Sequence, residues 1–380
     1  MGAKVNGNQK QSRGGKPLLP DRAAVFGGLL LLLALGVCAL CFRQDFSDWE
    51  RRMLSGLPET ISLSRWTFHD DLEDELSDQV PGRRLLVNLY AEAQKLTGRA
   101  QQLDAWPQGD DFLEKPVTGR QQTALRRVEQ LKALAGDIPC HFLTPPTHGM
   151  LLSGQMPAPV RQVYEQEEEL YGLVTEDPAF VPLRQAFSEA RTQLYYRTDH
   201  HWTLEGAYLA YRAFCGAAGQ TPADRSRFRE TRYSPFYGTT YSRSGLPFAR
   251  ADTLVCAEPD FPVALSVQGE DLRADHLIFP EEAATYDGYA VYLKGNHGVL
   301  EILSPEAESG ETLVVFKDSY ANCLLPFLTA HYRRIIAADA RYMEGSFRDV
   351  LTGAGRVDRV LFLYSLDSLV NDTAITRKLR

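Results

Sequence analysis

The chain has 380 residues, is 44% hydrophobic and carries a formal net charge of −8; its first 22 residues hold +4, so the remainder stands at −12. An acidic body excludes a nucleic-acid surface, which needs a basic face to neutralise phosphates. The length allows one large core plus an appendage, and no repeat period or low-complexity run divides it.

From Ala23 to Phe42 twenty positions are apolar or glycine with no charge. As a helix they cover the roughly 30 Å hydrocarbon core of a bilayer. The basic residues precede them, which keeps the N-terminus cytoplasmic and sends the bulk of the chain outside. The run exceeds a signal-peptide core and no small-x-small site follows it cleanly, so the expectation is an uncleaved signal anchor at 23–42 behind a basic tail at 1–22. Residues 43–102 read as a polar helical stalk, with Leu72, Leu76 and Val80 four apart and Leu85, Leu86 and Leu89 continuing after Pro81-Gly82. An α/β domain is expected over 103–380. Cys38 and Cys41 fall in the anchor. Cys140, Cys215, Cys256 and Cys323 match no metal knuckle and leave both disulfides and buried thiols open.

Within that domain, Leu125, Val128, Leu131 and Leu134 predict a helix over 120–135, stopped by Gly136. Cys140–Thr144 follows as a short strand, and 158–174 as a helix with a solvated acidic face from Glu165 to Glu169. Strands are predicted at Gln193–Arg197, Tyr289–Leu293, Thr312–Phe316, Arg334–Ala338 and Val360–Tyr364, with helices at Ala321–Tyr332 and Tyr342–Leu351. Continuous apolar strands alternating with helices indicate a parallel sheet covered on both faces. Sites in such sheets collect at the carboxyl ends of strands, and Asp199, His201, Ser319 and Asp339 all fall just past a predicted strand.

Two segments hold the chemistry. Tyr196-Arg-Thr-Asp-His-His-Trp-Thr203 precedes a helix whose cap is Thr203 and whose apolar face is Leu204, Ala207, Tyr208, Tyr211 and Phe214. Asp199 and His201 are two apart and can share a pocket; adjacent His200 and His201 in an extended segment cannot do so easily. The second segment, Leu313-Val-Val-Phe-Lys-Asp-Ser-Tyr-Ala-Asn322, runs an apolar strand into a turn with Ser319 at its tip. A serine hydroxyl is a weak nucleophile until a carboxylate-held histidine takes its proton, so His201 as base, Asp199 as its orienter and Ser319 as nucleophile form an acyl-transfer set. The plain alternative makes Ser319 a helix N-cap and Asp199 a turn acceptor. Gly295 and Asn296, in the cluster Lys294-Gly-Asn-His-Gly298, are candidate oxyanion donors, with Lys317 and Asp318 beside the serine as further substrate-side or loop-bracing residues. His297 and His331 read as structural. Asp199 with the histidines lacks the i, i+4 spacing and third ligand of a zinc site, so neither a metal nor a cofactor is expected.

Asp199-His-His-Trp202 is the signature of the DHHW protein family, which the chain resembles. The likeness extends over about 45–375. It includes Glu50-Arg-Arg-Met-Leu54 with Pro58, Asp78-Gln-Val-Pro-Gly-Arg83, Phe236-Tyr-Gly-Thr-Thr-Tyr-Ser-Arg-Ser244, Gly295-Asn296, Lys317-Asp-Ser-Tyr-Ala-Asn-Cys323 and Asp339-Ala-Arg-Tyr342. The chain is more distantly similar to the exported alginate O-acetylation proteins, which carry Thr-Asp-x-His-Trp ahead of a catalytic serine on an SGNH-hydrolase-like fold. Their Asp, His and Ser fall on Asp199, His201 and Ser319, and Lys317 replaces the usual glycine of Gly-Asp-Ser. The resemblance implies an SGNH-hydrolase-like α/β sheet and a membrane-anchored, extracytoplasmic O-acyltransferase or esterase acting on a cell-envelope polysaccharide. It also implies an acyl donor and an acyl-transferring membrane protein as partners. The alternative is a catalytically silent module that binds glycan or a membrane partner.

Overall fold

The computed structural model describes residues 22–56, 68–99, 101 and 103–380. The basic tail up to residue 21 and Pro58 lie outside them, as does the side chain of Leu72. The chain divides into two compact units, one of residues 1–47 and 53–83, the other of 48–52 and 84–380. In the first unit the apolar run forms a helix, Arg22–Cys41. Among the described residues no helix is long and apolar enough to cross a membrane. The same unit holds a helix at Phe68–Gln79, where the Gln79 amide binds the backbone of Gln44 and Asp78 accepts from Ser55 N.

The second unit carries eleven of the strands, labelled here in chain order: β1 (Ala105–Gln108), β2 (Asp111–Glu114), β3 (Cys140–Leu143), β4 (Phe228–Phe236), β5 (Asp252–Pro259), β6 (Ala264–Val267), β7 (Arg273–Ala274), β8 (Val299–Leu303), β9 (Ser309–Lys317), β10 (Tyr332–Asp339) and β11 (Arg359–Leu363). Seven of them form one sheet in the order β3-β11-β9-β10-β8-β6-β7. The first four run parallel; β8, β6 and β7 are added antiparallel. The sheet is therefore mixed, with the expected parallel core and an antiparallel flank that the sequence pattern did not reveal.

Alternation along the central strands divides the core into two layers. Leu313 and Val315, Ile335 and Ala337, and Leu361 and Leu363 face a layer shared with the helix Leu204–Ala218. Val314 and Phe316, Ile336 and Ala338, and Val360 and Phe362 face the other, which holds Val128 and Leu131 of Gln121–Ala135 and Leu170 of Ala158–Val174. Strands that are apolar at every position belong between two such layers, because each face of the pleat is buried.

Three elements differ from the sequence pattern. Gln193–Arg197 forms no ladder, only an isolated bridge between Tyr195 and Trp202, because the N–H groups of Arg197 and Thr198 donate to the buried Asp252 carboxylate instead of to a strand. Tyr289–Leu293 is largely a 3₁₀ turn, Gly288–Val291, followed by positive φ at Leu293, Lys294 and Gly295. The single helix expected over Ala321–Tyr332 is a 3₁₀ turn, Ser319–Cys323, and one α turn, Leu325–Leu328. Pro326 has no N–H with which to continue a helix from the preceding turn. The six cysteines are free thiols.

Candidate active site

Strand β9 ends at Lys317, and the chain turns sharply at Asp318. The Asp318 side chain, not that of Ser319, caps the 3₁₀ turn: it accepts from Tyr320 N at 3.1 Å, from Ser365 N at 2.7 Å and from Ser368 Oγ at 2.7 Å. Ser319 is thereby the first residue of the turn, with its hydroxyl free of capping duty and half-buried. None of the described acceptors meets its N–H.

The partner segment is held as firmly. Asp252 accepts from Arg197 N, Thr198 N and Thr198 Oγ1, which bends residues 197–201. The bend brings both histidines to one side. Their ring centroids lie 3.9 Å apart, which corrects the extended-segment expectation that they would diverge. Asp199 Oδ2 accepts from Thr239 N at 2.7 Å, while Oδ1 accepts from His201 N at 2.9 Å and lies 2.5 Å from His201 Nδ1. His201 Nε2 lies 2.8 Å from Ser319 Oγ. With Nδ1 as the donor to Asp199, Nε2 is the acceptor that faces the hydroxyl.

Two reciprocal bonds lock these segments together across 118 and 120 residues of chain. Trp202 Nε1 donates to Tyr320 O at 3.0 Å, and Tyr320 OH donates to His200 O at 2.5 Å. The Tyr289 ring stacks on the His201 imidazole at 3.8 Å and 5°. Gly238 touches the other side of the carboxylate: a Cβ there would overlap the Asp199 side chain. Arg51 donates to Thr239 Oγ1 at 3.1 Å and to Tyr237 O, bracing the loop that holds Asp199. Sequence reasoning from residue chemistry alone missed Tyr289, Tyr320, Gly238, Thr239 and Asp252. The only trace of them was the run from Phe236 to Ser244 and the segment around Ser319 in the family resemblance.

The electrostatics suit a base. Burial, with His200 alongside, pushes the His201 imidazole down to about 4 against the pull of Asp199, so it is neutral at physiological pH. Burial alone would raise the Asp199 carboxyl, but the two histidines and the bonds from His201 outweigh it and hold the group well below the usual carboxylate range.

The four other predicted residues have partners of their own. Lys317 is buried, its Nζ 2.8 Å from Asn322 Oδ1 and 3.8 Å from Asp339 Oδ2, and burial lowers its pKa. It braces the turn from behind and is not available to substrate. Asp318 is consumed by its cap. The Gly295 N–H donates to Tyr292 O, which removes it as an oxyanion donor. Asn296 Oδ1 accepts from Asn322 Nδ2 at 3.1 Å, leaving the Asn296 NH₂ group without an acceptor among the described residues. Ligand atoms of Asp199, His200 and His201 lie within 4.8 Å of one another, close enough for one metal ion. Asp199 Oδ1 and His201 Nδ1 are already bonded to each other, so an ion taking those two atoms would displace that bond.

A cavity of about 220 Å³ opens beside this cluster, with Asp199, His200 and Tyr320 in its wall. Its other polar lining includes Thr147, Glu167, Thr240 and Ser365.

The model of the family described as DHHW protein matches residues 183–337, which bears out the resemblance read from the sequence. No curated protein matches the chain. Among solved structures, a DHHW family protein from Eubacterium siraeum is similar at 20% identity, over 72% of this chain and 94% of that one, with a TM-score of 0.58. PatB1 from Bacillus cereus, solved with a sulfonyl adduct, is similar at 22% identity over 71% of this chain and 97% of that one, also at 0.58. The O-acetyltransferase domain of Pseudomonas putida AlgJ aligns at 15% identity over 72% of this chain and 96% of that one, with a TM-score of 0.35, too low to carry an argument. At these identities the first two establish the fold: an α/β sheet, mostly parallel at its centre and flanked by helices.

Proposed function

We propose that the chain is a serine-dependent O-acyltransferase or esterase of SGNH-like type that acts on a cell-envelope polysaccharide. The observation that carries this reading is the continuous bond chain from Asp199 through His201 to Ser319. Ser319 Oγ attacks the carbonyl of an acyl ester as its proton passes to His201 Nε2, and Asp199 stabilises the imidazolium. The tetrahedral oxyanion takes the free Ser319 N–H and the Asn296 NH₂ group as donors. As it collapses, His201 returns the proton to the leaving alkoxide and an acyl-serine remains. His201 then deprotonates a sugar hydroxyl or water, which attacks the acyl carbon and releases Ser319. The choice of a polysaccharide follows the resemblance to the alginate O-acetylation proteins. The sulfonyl adduct on PatB1 suggests the same class of reagent as a probe of Ser319. The Lys317 ammonium is engaged with Asn322 and Asp339, and the alternative of a catalytically silent glycan-binding module, which Lys317 in place of glycine favours, is separated by the ester test below.

The charge-free run from Ala23 to Phe42 behind basic residues is a feature of the sequence that favours an anchored chain with its α/β unit outside the membrane, whereas no described helix is long and apolar enough to span. An acyl-supplying membrane protein fits that placement. The test is hydrolysis of a chromogenic acetate ester by the full-length protein and by Ser319→Ala. A loss of at least about a thousandfold is expected; equal rates would remove the serine from the mechanism.

A further inference from the structure

The helix Arg83–Leu96 presents an apolar face that is uncovered among the described residues. Its inner side is fixed. Ala91 is buried with Phe112 and Leu246, and Val87 and Ala91 lie so close to Gly245 that a Cβ there would press on both. At about 100° per residue, Leu85, Leu86, Leu89, Tyr90, Ala93 and Leu96 then share roughly 140° of the opposite side. The four leucines and Tyr90 are each more than half exposed. Single exposed leucines are ordinary on a protein surface, but a contiguous stripe of four with a tyrosine marks an interaction face. At the end of the helix Phe248, 84% exposed, lines a hollow with Lys95 and Arg99. Gly245 closes the turn whose Thr239 N–H holds Asp199, so this face stands on the same scaffold as the triad.

The surrounding charge points to the occupant. Residues 83–99 carry Arg83, Arg84, Lys95 and Arg99 against Glu92 alone, although the chain beyond residue 22 stands at −12. Arg84, Lys95 and Arg99 are exposed. A leucine stripe with basic residues at both ends of its helix is the pattern of a segment lying in the plane of a bilayer, its apolar side about 5–10 Å into the headgroup boundary. Long basic side chains there reach anionic headgroups while their stems cover the apolar edge. Fourteen residues are too few to span, which leaves the surface. A second copy fits less well, because pairing this face with itself would bring the basic ends of two helices together. The charge-free run from Ala23 to Phe42 lies shortly upstream in the chain and would keep the helix near lipid.

We infer that this face rests on an anionic lipid surface, with the four leucines and Tyr90 at the acyl-chain boundary and Arg84, Lys95 and Arg99 at the headgroups. Such a contact is independent of what Ser319 does. Full-length protein reconstituted into vesicles of phosphatidylcholine and phosphatidylglycerol, about three to one, tests it. A nitroxide is attached at Leu89→Cys, at Leu86→Cys and, as a water-exposed control, at Glu129→Cys. The background is Cys38→Ser, Cys41→Ser and Cys140→Ser, since the other three thiols are buried. Oxygen concentrates in lipid and a nickel chelate stays in water, so their collision rates with the label separate the surroundings. The oxygen-to-nickel ratio at positions 86 and 89 is expected to exceed that at 129 by about fivefold or more. Arg84→Glu with Lys95→Glu, or vesicles of phosphatidylcholine alone, should lower it toward the control. A ratio unmoved by either change would overturn the anionic requirement. Labels open to both reagents would overturn the proposal by leaving the face in water. Labels closed to both would overturn it in favour of protein cover, whether residues 57–67 of the same chain, a second copy or another protein. Turnover is not read, so the outcome stands whatever Ser319→Ala does to ester hydrolysis.

Discussion

Two histidines in this molecule sit between an acid and a nucleophile, and only one of them is placed for chemistry. His201 joins Asp199 to Ser319. His331 Nδ1 lies 3.1 Å from Glu308 Oε2, and its Nε2 lies 2.6 Å from Tyr211 OH and 3.6 Å from Cys215 Sγ. The second cluster has the composition of a cysteine hydrolase and none of the conditions. Tyr211 OH takes the short bond to the imidazole, Cys215 is fully buried, and burial pushes its thiol up to about 12, far from the thiolate it would need. Its acid, Glu308, stands exposed, whereas Asp199 is buried and accepts three close bonds from its own loop and the facing one. Bond order alone does not make a site. A half-buried hydroxyl beside a cavity, in place of a buried thiol, separates the two clusters; burial lowers the pKa of both imidazoles.

The comparison is broken most severely at the acids. Asp199→Asn should cut ester hydrolysis by on the order of 10⁴-fold, since the amide presents the wrong partner to Nδ1. Glu308→Gln and Cys215→Ala should each leave the rate within about twofold, the latter at a cost of about 1 kcal/mol in a denaturant melt. A rate collapse in the His331 variants and not in Asp199→Asn would reverse the assignment of roles. The next effect is in pH. In the proposed reaction His201 works as the neutral base, so activity is expected to hold above its folded pKa and to be lost as pH falls through about 4. Hydrolysis should stay within roughly twofold between pH 7.5 and 5.5, where an ordinary histidine near 6.5 would already cost about tenfold. The smallest effect concerns the ring stacked on His201. Tyr289 OH is buried without a partner, so Tyr289→Phe should be close to neutral. Tyr289→Ala lets water reach the imidazole and should raise the acid limb by about one pH unit. A limb that does not move in the alanine variant would leave the ring a packing role only.

Much of this was legible in the residues. The parallel strands announced themselves because Leu313 to Phe316 and Val360 to Tyr364 are apolar on both faces, and Thr203 marked its helix by capping chemistry. The convergence of Asp199, His201 and Ser319 was readable from residue type, and for Ser319 from its position after a strand; the strand expected ahead of Asp199 and His201 does not form. The antiparallel flank was not: Val299–Leu303 carries Glu301 in its middle, and that side chain is paired with Arg334 on the neighbouring strand, a contact no local pattern encodes. The oxyanion side was misread at Gly295, where the glycine's N–H is spent within its own turn. Tyr289 was equally hidden, because stacking on an imidazole 88 residues away leaves no periodicity.

The Asp318 carboxylate that caps the Ser319 turn is itself held by Ser365 N and Ser368 Oγ, which follow the last strand of the sheet in the chain. A chain emerging N-terminus first therefore carries its base and its serine well before the clasp that sets the serine in place. Under the proposed acyl-transfer reading, the Ser319 turn would be set only once residues 365–368 have been made.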